Sequence, residues 1–182
     1  MLRAFPVLAM LSVASPAQQY EWRLLGPGIP AGTPCHVYDE LRHRLVLVIE
    51  SQTWESDGAV WALAAAPNAP GHRMSPGLCY DPVHHRTLLF GGARIGSPGG
   101  YQSDLWAWDG VAWTQLPAAQ QPTARWNTPI VYDAARKCTV LQGGESTAGF
   151  LDDTWEHDGT NWTQLFPGTR PTSHLRHALV YD

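Results

Sequence analysis

An internal repeat is the strongest constraint on how this chain can fold. Each of three Asp-Gly pairs has a Trp three residues before the Asp and a second Trp four residues after it. Six of the nine tryptophans therefore occupy two columns, Trp54, Trp106 and Trp155 in the first and Trp61, Trp113 and Trp162 in the second. Tyr-Asp pairs recur at intervals of 42, 52 and 49 residues, starting from Tyr38-Asp39. A period of about 40–50 residues with several fixed columns is typical of repeat architectures.

Each repeat predicts four short strands. The first ends at the Tyr-Asp pair, and the second is an apolar run such as 87–90 that leads into Gly91-Gly92. The third carries the first Trp column. The Asp-Gly pair after it predicts a two-residue hairpin turn with positive φ at both residues. The fourth strand starts at the second Trp column. The 17 glycines and 15 prolines suit many turns between short strands and do not suit a helical bundle.

A four-stranded meander of about 50 residues cannot bury both of its faces by itself. Packing such sheets face to face around an axis makes an all-β propeller, in which the Trp columns lie between neighbouring sheets. We expect the paired glycines to let the second strand leave its sheet at a point where a Cβ atom would clash.

These motifs resemble the kelch repeat of secreted bacterial proteins, in the order Tyr-Asp, apolar strand, Gly-Gly, loop, aromatic-rich strand and Trp before Leu. The resemblance covers about residues 20–182, and it is weaker in the first repeat, where Ile49-Glu50 replaces Gly-Gly. A WD40 repeat is the rival, because the chain contains Gly71-His72 and Trp108-Asp109, but the Trp-Asp pair does not recur.

The kelch resemblance implies a partial propeller. We expect a lone outer strand at 20–25, four-stranded blades at about 33–64, 73–116 and 125–165, and the start of a further blade at 174–182. Closed propellers have about four to eight blades. The expectation is therefore that a C-terminal segment beyond residue 182 supplies the remaining blades.

The N-terminal segment is predicted to be a signal peptide. A short positive start precedes an apolar run at 4–11, and Ser12-Val13-Ala14 and Ser15-Pro16-Ala17 both place small residues at cleavage positions. Residues 1–17 therefore predict a secreted or periplasmic protein. The alternatives are a buried N-terminal strand or helix, or a short anchor. The run is too short to cross a bilayer, and no other stretch predicts a membrane span.

Composition and spacing exclude several kinds of site. The formal net charge of −4 argues against a nucleic-acid partner. The chain has three cysteines, Cys35, Cys79 and Cys138, which is an odd number, and they lack C-x-x-C spacing. We therefore expect the cysteines to act as small apolar residues in buried strands, and we leave their disulfide state open. No metal-binding histidine pattern, nucleophile elbow or phosphate loop is present, so no metal site, cofactor or catalytic residue is predicted.

Two further columns are predicted to be structural. Arg73, Arg125 and His174 are equivalent in the repeat, and we expect them to bond neighbouring blades or loops. The aspartates of the Tyr-Asp pairs are expected to be turn residues, and they are Asp39, Asp81, Asp133 and Asp182.

The loops between second and third strands, together with the connections between blades, share one end of the sheets and vary in length. Binding residues concentrate on variable loops that a rigid scaffold holds. We therefore expect any ligand on this face, with six candidate residues: Arg94, Tyr101, Glu145, Phe150, Trp126 and His72.

The sequence thus predicts a secreted binding or scaffold module with a protein or carbohydrate partner, and it favours this over an enzyme. The main alternative, implied by the kelch resemblance, is part of a copper-radical oxidase similar to galactose oxidase. That chemistry needs a Tyr crosslinked to a Cys and histidine ligands near the propeller axis. A purely structural surface repeat is the third possibility, since a fold does not decide function.

Overall fold

The computed structural model describes residues 8–12, 20–24, 34–94, 100–169, 171 and 178–181, with side chains described from residue 34 onward. In these residues the chain is all β, and its strands follow in this order: β1 Leu8–Ser12, β2 Tyr20–Leu24, β3 Cys35–Asp39, β4 Arg44–Ile49, β5 Gln52–Ser56, β6 Trp61–Leu63, β7 Arg73–Met74, β8 Gly77–Asp81, β9 Arg86–Phe90, β10 Ala93–Arg94, β11 Gly100–Tyr101, β12 Leu105–Trp108, β13 Trp113–Leu116, β14 Ile130–Asp133, β15 Cys138–Ser146, β16 Gly149–His157 and β17 Trp162–Leu165. The described part of the chain contains no helix long and apolar enough to cross a membrane.

Three four-stranded antiparallel sheets form the body of the molecule, and we call them blades 1, 2 and 3. Blade 1 has the order β3-β4-β5-β6, blade 2 the order β8-β9-β12-β13, and blade 3 the order β14-β15-β16-β17. Each blade is a simple meander, as the repeat predicts. The prediction of an all-β fold built from four-stranded units is confirmed.

The core lies between the blades. Trp108 and Trp113 of blade 2 are buried against Val46 and Val48 of blade 1. Trp162 of blade 3 meets Phe90 of blade 2 edge to face, with ring centroids 5.3 Å apart. A buried Trp removes roughly 150–250 Å² from water, which corresponds to at most about 4–6 kcal/mol of hydrophobic stabilisation. The second Trp column therefore holds neighbouring sheets together.

The polar ends of two of these rings are also bonded across a blade boundary. The Trp113 Nε1 donates to Thr53 Oγ1 at 2.8 Å, and the Trp108 Nε1 donates to Glu55 Oε1 at 2.8 Å. Buried indole nitrogens need such acceptors, because an unpaired buried donor costs about 1–3 kcal/mol. The two bonds fix how blade 2 is placed on blade 1.

The Asp-Gly turns differ from the prediction of two-residue hairpins. Trp108 pairs with Trp113, and His157 pairs with Trp162, so each loop has four residues. Only the glycines have positive φ, 92° at Gly58, 96° at Gly110 and 100° at Gly159. The Asp carboxylate closes the loop instead: Asp109 Oδ1 accepts from the backbone N–H of residues 111 and 112 at 2.8 and 2.9 Å.

The second strand of blade 3 also runs further than predicted. Gly143-Gly144 does not end it, because β15 passes through this pair with a bulge and continues to Ser146. The segment 145–151, expected to be a loop, is the end of a hairpin with β16. Glycine allows this, since Gly143 and Gly144 have φ of 60° and 104° and the chain can bulge without losing its partner strand.

Blade 1 uses a different exit from its second strand. Ile49 pairs with Gln52, so β4 and β5 join through a tight hairpin in which Glu50 has φ of 56°. The replacement of Gly-Gly by Ile49-Glu50 therefore coincides with the shortest loop of the three.

The chain ends include two corrections. The strand predicted at 20–25 is present as β2, but it is not alone, because it pairs antiparallel with β1 over the whole of Leu8–Ser12. Residues 178–181 were predicted to lie in a further strand, and they form none. The rest of the predicted segment 174–182 lies outside the described residues, as do most of residues 1–17.

Candidate functional site

The long loop of blade 2 forms a small sheet of its own. It has the order β11-β10-β7, so the connection from blade 1 pairs with the chain that leaves β9. Ala93 lies opposite both Met74 and Tyr101, while Arg94 lies opposite Arg73 and Gly100. Directly opposite residues point to the same side of a sheet, and consecutive residues point to opposite sides. Tyr101 and Arg94 therefore lie on opposite faces of this small sheet.

Blade 3 repeats the same arrangement at equivalent positions. Trp126 and Glu145 exchange two backbone N–H···O bonds, both of 3.0 Å, and Glu145 lies opposite Phe150 on β16. Trp126, Glu145 and Phe150 therefore point to one face. In the repeat, Trp126 stands where Met74 stands in blade 2, and Phe150 stands where Tyr101 stands.

The two arrangements join across the blade boundary. Tyr101 stacks on Trp126 with ring centroids 5.8 Å apart and 17° between the ring planes. The backbones are also tied, since the N–H of Arg125 donates to the carbonyl of Gln102 at 2.9 Å. Four of the six predicted residues thus form one line, which we call the aromatic row: Tyr101, Trp126, Glu145 and Phe150.

The aromatic row is open to solvent and carries negative charge. Phe150 is 55% exposed, and the other three members are half-buried. No described residue donates a hydrogen bond to the Glu145 carboxylate. Asp152 is exposed and lies two residues beyond Phe150 on β16. The row therefore combines aromatic surface with two available carboxylates.

The other two predicted residues do not join the row. The Arg94 guanidinium lies against Gly71, where a Cβ atom would come within 3.2 Å of its Nη2. Among the described residues no hydrogen bond or ring contact links His72 to the row. Arg94 lies on the other side of the small sheet from Tyr101, because the alternation of β10 turns it away.

The equivalent arginines hold the loops in place. Arg125 is fully buried and donates to the carbonyls of Thr123 and Gly143 at 2.8 and 2.9 Å, and to both carboxylate oxygens of Asp153 at 2.6 and 2.8 Å. The same carboxylate accepts from the Trp155 Nε1 at 2.7 Å. We call this arrangement the arginine latch, because it ties the connection between blades to the third strand of the blade that follows.

Blade 2 has the same latch. Arg73 donates to the carbonyl of Gly91 at 3.1 Å and to both oxygens of Asp104, which also accepts from Trp106. Burial alone would raise the pKa of Asp104, but the hydrogen bonds and charge of Arg73 outweigh it and hold that pKa below its ordinary value. The prediction that Arg73 and Arg125 bond loops is confirmed, while His174 lies outside the described residues.

Blade 1 lacks the latch in a way that can be read from the sequence. Gln52 occupies the position of Asp104 and accepts from the Trp54 Nε1 at 3.1 Å. The position of Arg73 is occupied by Ala31. Arg and Asp are therefore present together or absent together, which is the signal that could have identified the pair before the structure was known.

The opposite face carries the tight turns. Asp39, Asp81 and Asp133 accept backbone N–H bonds within their own turns, as predicted for this column, and Asp182 lies outside the described residues. A cleft of about 240 Å³ lies between blades 1 and 2 on this face, and sequence reasoning did not find it. It is lined by Glu40, Leu41, Tyr80, Pro82 and His85.

The cysteines are free in the structure. Cys79 and Cys138 are buried, as predicted, while Cys35 is half-buried and its Sγ donates to the carbonyl of Pro76 at 3.3 Å. Burial raises the pKa of Cys79 to about 12 and that of Cys35 to about 11, so neither forms a thiolate readily. The described residues hold no cluster of three or more side chains suited to a metal ion.

Comparison with known proteins gives a fold. Among 106 solved chains of similar structure, the structure of YjhT matches with a TM-score of 0.59 and 16% sequence identity. The match covers 81% of this chain and 48% of YjhT, so the chain spans about half the length of that relative. Together with the three four-stranded blades, this likeness shows a fold of the β-propeller type. No protein-family model and no curated protein matches the sequence.

Proposed function

We propose that this chain is a secreted propeller module of the kelch type that binds a carbohydrate at the aromatic row. The observation that carries the proposal is the stack of Tyr101 on Trp126 in line with Glu145 and Phe150. Sugar rings present apolar C–H faces and polar hydroxyl edges. A line of aromatic rings with a carboxylate between them offers a partner to both.

The scaffold supports a binding role because it is rigid below the row. The arginine latches fix both connections that carry the row, and their bonds are charge-assisted and bidentate. A preformed site loses less conformational entropy on binding than a flexible loop does. The row also lies on the face with variable loops, where repeat proteins carry recognition residues.

The kelch type and secretion are part of the same proposal. Support for the kelch type comes from the Tyr-Asp pairs, the Gly-Gly pairs and the Trp columns. Support for secretion comes from residues 1–17. N-terminal sequencing of exported protein should find a start at Ser15 or Gln18. Exported protein that still contains Leu8–Ser12 would contradict the cleaved signal, since that segment would then be a lasting partner of β2.

Binding can be tested on a glycan array followed by titration calorimetry. We expect Trp126→Ala and Tyr101→Ala each to weaken binding about tenfold, the effect of losing one well-packed ring. Tyr38→Ala is the control, because Tyr38 is an exposed tyrosine at the turn face, away from the row. Variants must first show unchanged unfolding midpoints. A wild-type chain that binds no glycan, or variants that bind as well as Tyr38→Ala, would refute the proposal; a protein captured through the row would assign it to a protein partner.

A further inference from the structure

The aromatic row contains a slot whose chemistry selects among ligands. Glu145 stands between Trp126 on one side and Phe150 on the other, because it lies directly opposite each of them in the sheet. Neighbouring strands are about 4.8 Å apart, so the backbones of Trp126 and Phe150 lie about 10 Å apart. Atoms packed on a ring need roughly 3.5–4 Å. This backbone spacing leaves room for one flat group above the carboxylate.

The Trp126 indole has one face covered by Tyr101. No described ring stacks on its other face, which leaves that face for a ligand that also reaches Glu145, the residue directly opposite Trp126 in the sheet. An aromatic face carries negative electrostatic potential and attracts cations that come within about 6 Å of its centre.

The charged side chains described around the slot are carboxylates. Glu145 forms its floor, and Asp152 is exposed two residues beyond Phe150 on β16. Arg94 lies on the other face of its small sheet. Arg125, next to Trp126, is fully buried and has its donors bonded to Thr123, Gly143 and Asp153. Among the described residues, an anionic ligand would therefore meet repulsion without a compensating cation.

We infer that the slot formed by Trp126, Glu145 and Phe150 binds a protonated primary amine, so that the ligand of this face is an amino sugar with a free amino group. This inference rests on the proposed carbohydrate function and specifies its ligand class. The ammonium group sits over the free face of Trp126 and pairs with Glu145, while Phe150 covers the sugar ring. The net charge of −4 on the whole chain favours the approach of such ligands.

The test uses three oligosaccharides with the same β-1,4 backbone and the same length. These are a glucosamine tetramer with free amines, its N-acetylated counterpart and the glucose tetramer. Titration of the full 182-residue chain at a pH where the amines are protonated should show about tenfold tighter binding of the free amine, the combined effect of one cation–π contact and one exposed ion pair.

Glu145→Gln should remove this preference, so that the free-amine tetramer binds no more tightly than the two neutral tetramers. Phe150→Ala should weaken all three. Glu40→Gln is the control, because it makes the same change in net charge on the opposite face. Loss of the preference in Glu40→Gln would mean that overall charge, and not the slot, attracts the amine.

Two results distinguish a failure of the amine inference from a failure of the carbohydrate function. If the wild-type chain binds the three tetramers equally or prefers a neutral one, the amine inference is wrong and the carbohydrate function stands. If it binds none of the three, and no glycan on the array, both are wrong.

Discussion

The arginine latch gives a stability prediction that can be worked out in detail. Replacing Arg125 by Met keeps an unbranched stem in the same space but removes four hydrogen bonds of 2.6–2.9 Å. The carbonyls of Thr123 and Gly143 lose a donor, and the carboxylate of Asp153 keeps only Trp155 as a partner. Removing one partner of a buried ion pair costs about 3–5 kcal/mol, because the other charge is left uncompensated. We expect Arg125→Met to lower the free energy of unfolding by that amount.

A double variant tests whether the pair acts as a unit. Blade 1 dispenses with the latch by having Gln52 at the acidic position, so Asp153→Gln removes the orphan charge and leaves an acceptor for the Trp155 Nε1. The combination of Arg125→Met with Asp153→Gln should be more stable than Arg125→Met alone by about 1–3 kcal/mol. A latch made of independent contacts would instead give additive losses.

The measurement is urea unfolding followed by tryptophan fluorescence, with the slopes compared to confirm that the same surface is exposed. Arg136→Ala is the control, because Arg136 also pairs with two carboxylates but its side chain is 53% exposed. Exposed pairs contribute about 0–1 kcal/mol. A loss below about 1 kcal/mol for Arg125→Met, or a loss equal to that of the control, would refute the reasoning.

The pH dependence of the latch provides an independent check. Burial alone would raise the pKa of Asp153, but the hydrogen bonds from Arg125 and Trp155 and the arginine charge outweigh it and lower the pKa. A folded-state pKa below the unfolded value adds stability above the unfolded pKa, and this contribution disappears as the pH falls through the folded value. The difference in free energy of unfolding between wild type and Arg125→Met should therefore become smaller below about pH 4.

Three more predictions concern a glycine, a histidine and a cysteine. Gly91→Ala should lower the free energy of unfolding by at least about 3 kcal/mol, because the new Cβ would lie 2.6 Å from the carbonyl of Arg125. Gly58→Ala is the control, since Gly58 also has positive φ but has open space around it, and it should cost about 1–2 kcal/mol. Equal losses in urea unfolding would contradict this prediction. Burial lowers the pKa of His157 from 6.5 to about 4. The neutral buried ring therefore contributes at most about 3 kcal/mol to the free energy of unfolding, and this contribution is complete above pH 6.5 and is lost as the pH falls toward 4. The free energy of unfolding of His157→Phe, measured across this range, should change less with pH than that of wild type. Cys79, with a pKa of about 12, should react with a thiol reagent at pH 8 only after denaturant is added, and rapid labelling of folded protein would show that its strand opens.

The repeat predicted the architecture because the same residues recur wherever the same packing recurs. Trp113 and Trp162 are equivalent in sequence and both lie between blades. The structure differs from the prediction where one dipeptide is compatible with two backbone conformations. Asp-Gly fits a two-residue turn and also a four-residue loop closed by the Asp side chain. Gly-Gly fits a strand end and also a bulge within a strand. The neighbouring chain decides between them, and its position is not encoded locally.

Four of the candidate residues lie together in the structure, but their geometry could not be read from the sequence. Loop variability selected Tyr101, Trp126, Glu145 and Phe150 together with Arg94 and His72, and the structure brings the first four into one row. The separation of Arg94 from the row depends on the register of β10 against β7 and β11, where one residue of shift would exchange the two faces. That register is set by pairing with β7, in the connection between blades 1 and 2.

The arginine latch has a consequence for how such a chain can grow. Arg73 and Asp104 both belong to the sequence repeat that forms blade 2, and Arg125 and Asp153 both belong to the repeat that forms blade 3. Each copied unit would thus carry the parts that close its own connection, and gene duplication could add it whole. The contacts between units combine equivalent and unlike parts: Trp113 and Trp162 lie at equivalent places in the two boundaries, whereas Trp113 meets Thr53 at one and Cys79 meets Thr139 at the other. A copied unit would therefore bring its own latch and its own tryptophan, and only the smaller polar contacts at its boundary would have to change.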